Sequence, residues 1–149
     1  MTTWHARMIA ADKEHDGAPL LRGEFELDEG HGDVESATLF LSALGVVEAW
    51  VNGQRASQDL LTPGWSSYEW RVRYSELDVT ALISTTTVIG LALGNGWYRG
   101  PAGLVGRFEV LRRGAGRICR VARSVRGRTP ANHRDGQLLD RWAFSHNSQ

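Results

Sequence analysis

The sequence predicts an all-β fold, a sandwich of short strands, and three observations carry that expectation. Residues 44–54 alternate: Val47, Ala49 and Val51 fall on one side of an extended backbone, and Glu48, Trp50 and Asn52 on the other. That is the period-2 pattern of a half-buried strand. Turn signals recur about every 8–12 residues, the spacing of a sandwich or barrel. No stretch of about ten residues or more holds a convincing 3.6-residue period.

Taken in order, residues 4–10 read as a first strand and 12–19 as a polar loop. In residues 20–27, Leu21, Gly23, Phe25 and Leu27 oppose Arg22, Glu24 and Glu26, a second strand. Residues 28–32 are turn material. In residues 37–43, Thr38, Phe40 and Ser42 oppose Leu39, Leu41 and Ala43. Leu44-Gly45 then reads as a short turn, and Asn52-Gly53 as a hairpin turn whose two residues tolerate positive φ. The expected result is a three-stranded meander over residues 36–56, with a second sheet covering its apolar face. Pro63-Gly64 marks another turn, directly before Trp65. Residues 70–74 read as a strand, 77–83 as a helical turn capped by Asp78 or Thr80, and 86–93 as a buried β-branched strand. Gly94 to Gly103 breaks all periodicity around Trp97-Tyr98-Arg99. The expected core is Phe25, Leu27, Leu39, Leu41, Val47, Ala49, Val51, Val72, Tyr74, Val88, Ile89, Leu91 and Leu93, with one of Val88 and Ile89 less buried than the other.

At 149 residues and 42% hydrophobic content, the chain has the size and composition of one globular domain. No window approaches the ~20 apolar residues of a membrane span. The N-terminus shows no secretory pattern, and the single Cys119 fits a reducing compartment. A cytoplasmic location is therefore expected. Net charge is zero, yet residues 1–106 carry 14 acidic and 7 basic side chains, and residues 107–149 carry 3 acidic and 10 basic, all arginine.

Little reactive chemistry is legible. The five histidines show no pair at metal-ligand spacing, no serine sits in a nucleophile elbow, and Gly94-Asn95-Gly96 lacks what a phosphate loop needs after it. No metal or cofactor is expected. Glu24 and Glu26, ~6.6 Å apart along a strand, have about the separation of an inverting glycosidase pair, but exposed acidic residues on an edge strand are the favoured reading.

The segments LFLSALG (39–45), EAWVNG (48–53), LTPGWSSY (61–68), Arg73-Tyr74, LDVTAL (77–82) and LALGNGWYRG (91–100) resemble, in this order, the N-terminal β-sandwich domain of bacterial α-L-rhamnosidases, glycoside hydrolase family 78. One departure is Ser84-Thr85-Thr86-Thr87, where the family usually has a Gly-containing turn. The resemblance implies a jelly-roll-like, galactose-binding-domain-like sandwich that precedes a catalytic α-helical toroid outside this sequence. It makes residues 1–108 an incomplete rhamnosidase domain.

From 109 the family pattern fails, and residues 109–149 read as an irregular, disordered, arginine-rich tail. Back-translating residues 111–142 and advancing the frame by one base allows alternating apolar positions, an Asp-Gly turn and a closing Trp. The tail is thus expected to come from a frameshifted rhamnosidase gene, and the product to be marginally stable. Two partners are weighed for Trp65, Asn95, Trp97, Tyr98 and Arg99: the parent catalytic domain, or a rhamnoside if the chain is a free-standing carbohydrate-binding module. Packing against the next domain is favoured. Nucleic-acid binding by the tail ranks last, for want of interleaved aromatics, and neither nucleic acid nor membrane is expected as a partner.

Overall fold

In the computed structural model the chain forms two antiparallel sheets whose inner faces share one core; residues 8–10, 18–99, 118–127 and 144–146 are described. The strands are β1 (Met8–Ala10), β2 (Leu20–Glu26), β3 (Val34–Leu44), β4 (Val46–Val51), β5 (Gln54–Arg55), β6 (Ser75–Asp78), β7 (Thr86–Gly94), β8 (Ile118–Gly127) and β9 (Phe144–His146). One sheet has the order β1-β8-β3-β6, the other β5-β4-β7-β2-β9. A 3₁₀ turn (Thr80–Leu82) and one helical turn, α1 (Gly96–Arg99), are the helical elements among the described residues. No described helix is long and apolar enough to cross a membrane.

The alternation read from the sequence sets which face is inner. Ala37, Leu39, Leu41 and Ala43 of β3 meet Val47, Ala49 and Val51 of β4, Ile89, Leu91 and Leu93 of β7, and Leu21 of β2 in one buried cluster. Phe25 packs against it, and Leu27 is buried beside it. Of the Val88–Ile89 pair, Ile89 is buried and Val88 only half-buried, as opposite faces require.

The structure differs from the expectation at four places. First, β3 and β4 are no meander. Gly45, at φ +127°, carries the chain from one sheet into the facing one, so these two strands pair with other partners. Second, residues 70–74 form no strand, and Val72 and Tyr74 are exposed rather than core. This segment is tied down instead by the Ser42 hydroxyl, which donates to the Arg73 carbonyl (2.8 Å). Third, residues 77–78 belong to β6. The 3₁₀ turn that follows has Val79 at its N-cap with no side-chain cap bond, so neither Asp78 nor Thr80 caps it; from one residue upstream, Asp78 Oδ1 accepts the Thr80 N–H (2.9 Å) and hydroxyl (2.6 Å). Val79 beside it is buried, where sequence reading missed it. Fourth, residues 118–127 of the expected irregular tail form β8, which pairs with β3 from Leu44↔Ile118 to Val34↔Gly127 and with β1 on its other edge. Backbone pairing needs no apolar period in the side chains, so periodicity gave no sign of it. The rest of the expected tail lies outside the described residues, β9 excepted.

Candidate functional site

Two loops present the aromatic residues singled out above, and both are held by short-range geometry. Residues 57–74 leave β5 and are clipped to β4 by a reciprocal pair of bonds: the Val47 N–H donates to the Thr62 carbonyl (2.8 Å), and the Thr62 hydroxyl donates to the Val47 carbonyl (2.7 Å). The Thr62–Pro63 peptide is cis, Gly64 has φ +87°, and Trp65 beyond them is 64% exposed. Next, buried Ser66 donates its hydroxyl to the Arg71 carbonyl (3.0 Å), and the Trp70 N–H donates to the Ser67 carbonyl (2.8 Å). This knot leaves Trp70 89% exposed. Leu60 and Leu61 are exposed on the same loop.

The second loop follows β7. A Cβ on Gly45 would collide with the Gly94 carbonyl oxygen, and one on Gly96 (φ +50°) would lie 2.9 Å from the Gly45 carbonyl carbon. Backbone thus packs on backbone, and that contact fixes where α1 starts. Trp97 is 55% exposed and Asn95 is exposed. Tyr98 is half-buried, its ring meeting the edge of Tyr68 at 5.1 Å and 72°. Arg99 closes α1. The Tyr68–Tyr98 contact brings the two loops together.

Electrostatics around these loops is mild. The Thr80 hydroxyl, and then its N–H, hold the Asp78 carboxyl below the ordinary carboxylate range. The Glu76 carboxylate, first by a hydrogen bond and then by its charge, pushes the Tyr74 phenol up. Glu24 and Glu26 are exposed on the outer face of β2, and Glu24 pairs with Arg22. No group of three or more His, Cys, Asp or Glu among the described residues could hold a metal ion.

Sequence reasoning missed two features. Trp70 alternates with its neighbours like a strand residue, although the Ser66-Ser67 pair before it is turn chemistry. Trp50 and Gly90 face each other across β4 and β7 on the outer sheet surface, a juxtaposition set by long-range register alone. They line a groove of about 340 Å³ with Leu20, Arg22 and Val88.

Residues 32–122 match the family described as the α-L-rhamnosidase N-terminal domain, so the match extends beyond Phe108. An α-L-rhamnosidase of Streptomyces avermitilis is 39% identical over 93 residues, 62% of this chain and 9% of that protein. Another, from Formosa agariphila, is 32% identical over 112 residues, 67% of this chain and 12% of that protein. The crystal structure of the Aspergillus terreus α-L-rhamnosidase superposes with a TM-score of 0.64 at 33% identity, covering 79% of this chain and 14% of that one. The chain therefore spans roughly a tenth of the length of these relatives.

Proposed function

The chain belongs to the α-L-rhamnosidase N-terminal domain family, and from that premise we propose that it is an accessory β-sandwich of an α-L-rhamnosidase, docked on the parent enzyme through residues 57–74 and 94–99. In this role the parent hydrolyses terminal α-L-rhamnosyl residues, and the sandwich supplies no catalytic group. One observation carries the docking reading: Leu60, Leu61, Trp65, Trp70 and Trp97 stand exposed on loops that hydrogen bonds and glycine contacts hold in place. Large apolar side chains on rigid loops are what an interface core uses, because little conformational freedom remains to be lost on docking.

Glycoside hydrolysis by inversion needs an acid and a base on either side of the bond. Glu24, engaged by Arg22 on an open strand face, is poorly suited to either role. The chain alone is expected to leave an aryl α-L-rhamnoside intact, and turnover would overturn the accessory role. In the Aspergillus terreus structure, the surface equivalent to Trp65, Trp70 and Trp97 is expected to lie against the remainder of that chain; if it faces open solvent, the docking reading falls.

A second reading, a carbohydrate-binding module, is favoured by the exposed indoles of Trp65 and Trp97, with Asn95 and Arg99 as hydroxyl partners. Tyr98 fits it less well, because its ring is engaged by Tyr68. Loss of rhamnoside binding in Trp97→Ala would support this second reading.

A further inference from the structure

β8 and the strand it lies against disagree in one place. Residues directly opposite each other in an antiparallel ladder share a face of the sheet. The inner row of β3, made of Ala37, Leu39, Leu41 and Ala43, therefore continues in β8 through Val125, Arg123, Val121 and Cys119. Valine and cysteine suit such a row. Arg123 does not, for it is the register partner of Leu39, which is wholly buried. A guanidinium taken out of water needs an acidic partner, because an unpaired buried charge is strongly destabilising. Among the described residues no buried side chain is acidic: the buried polar ones are Ser42, Ser66 and Thr87.

β8 is therefore held by its backbone ladder more than by the fit of its inner row. Past Arg120 its partner among the described residues is β3 alone, since β1 pairs only with Ile118, Cys119 and Arg120. β3 runs from Val34 to Leu44, and β6 pairs with only Thr38, Phe40 and the two leucines on its other edge. A long edge with an alternating buried row is what an added strand requires. Main-chain bonds along the ladder supply affinity, and the alternate side chains supply selectivity. A segment with an aliphatic residue opposite Leu39 matches that row better than β8 does. A second copy of this chain does not, because its own residues 118–127 carry the same arginine. The better occupant is a strand from another polypeptide.

We propose that β8 is an exchangeable strand, and that the β3 edge accepts in its place an extended segment of another protein, apolar at every second position and aliphatic opposite Leu39. This edge lies outside the docking loops, and the inference does not rest on the accessory role. The probe is a synthetic peptide of residues 117–128 carrying Arg123→Val, added to the 149-residue chain under reducing conditions. The unsubstituted peptide competes with a tethered copy of itself at an effective concentration of about 1 mM, so it should not saturate below that level. The Arg123→Val peptide should bind about a hundredfold more tightly, with a Kd of about 10 μM. Amide exchange locates it: on saturation, residues 118–127 of the chain lose protection while residues 36–44 keep theirs. The full chain carrying Arg123→Val should melt higher than the parent and bind the peptide at least about tenfold more weakly. Failure to saturate at about 1 mM, or saturation with residues 118–127 still protected, would overturn the exchange. So would residues 118–127 lacking protection before any peptide is added. A lower melting temperature in the Arg123→Val chain would also overturn it, by showing that the arginine is satisfied where it stands. Equal affinity of the two peptides would overturn the selectivity opposite Leu39.

Discussion

Asn52 and Val88 are joined twice. The Asn52 N–H donates to the Val88 carbonyl (2.9 Å), and Asn52 Oδ1 accepts the Val88 N–H (2.8 Å). A side-chain oxygen thus takes the place of a backbone carbonyl at the end of the β4–β7 ladder. The same amide donates to the Leu82 carbonyl (2.8 Å) and to the Ser84 hydroxyl (3.0 Å). Asn52 does this at φ 49°, a conformation asparagine tolerates better than most residues.

Asn52→Ala should therefore cost about 2–3 kcal/mol, from lost hydrogen bonds and the left-handed backbone. Asn52→Gly should cost less, since it keeps the backbone freedom and loses only the bonds. Urea unfolding of both variants checks this. Equal costs would show that the side-chain bonds alone matter.

This relationship also marks what the sequence reveals. Asn-Gly announces a turn, and alternation announces β2, β3 and β4 with the correct inner face, because both signals are local. The partner of Asn52 lies 36 residues on, and nothing local names it. Gly45 shows the same limit: a glycine between two alternating runs suits a hairpin or a change of sheet equally well, and only the fit against Gly94 decides. Residues 70–74 alternate like a strand, yet Ser42 binds the Arg73 carbonyl and holds them as a loop. Trp65 and Trp97 were legible as candidates. The Trp50–Gly90 groove was not, since cross-strand register creates it.

Two glycines in positive-φ turns should respond differently to the same change. At Gly45 a methyl group meets the Gly94 carbonyl and the backbone is strained at φ +127°. Gly45→Ala is expected to cost at least about 2 kcal/mol. At Gly53, φ +80°, a methyl group meets nothing within 4 Å, and Gly53→Ala should cost only about 1 kcal/mol. Comparable melting temperatures for the two variants would contradict the close backbone contact.

Acid should expose the role of Asp78. Its folded-state pKa is depressed by Thr80, so its contribution is present above the ordinary Asp value of about 3.9 and is lost as pH falls through the lower folded value. Asp78→Ala should be less stable than the parent at neutral pH, and the difference should shrink below about pH 4. A gap that stays constant down to about pH 2 would rule out a charge-dependent bond between Asp78 and Thr80.

The stretch 118–127 gives a direct check on the C-terminal third. As the strand between β1 and β3, it should show amide exchange slowed relative to a free peptide, and fast exchange throughout would mean that the pairing does not persist. The frameshift origin of the segment from about Val110 remains our proposal on composition and is checked separately on the DNA. An intact frame through Gln149 would remove it.

The pairing of β3 with β8 also bears on how the chain reaches its fold. Every rung from Leu44↔Ile118 to Val34↔Gly127 closes a loop of roughly 75 to 95 residues, whereas β4 and β7 meet across much shorter separations. Non-local pairing slows folding, because chain entropy is lost before contacts return it. During synthesis, β2, β4 and β7 can assemble while β3 has only β6 beside it. Until residue 127 has left the ribosome, one long edge of β3 stays open to any extended segment nearby. The rate at which the C-terminal part emerges then governs how much of the chain escapes association with its own copies.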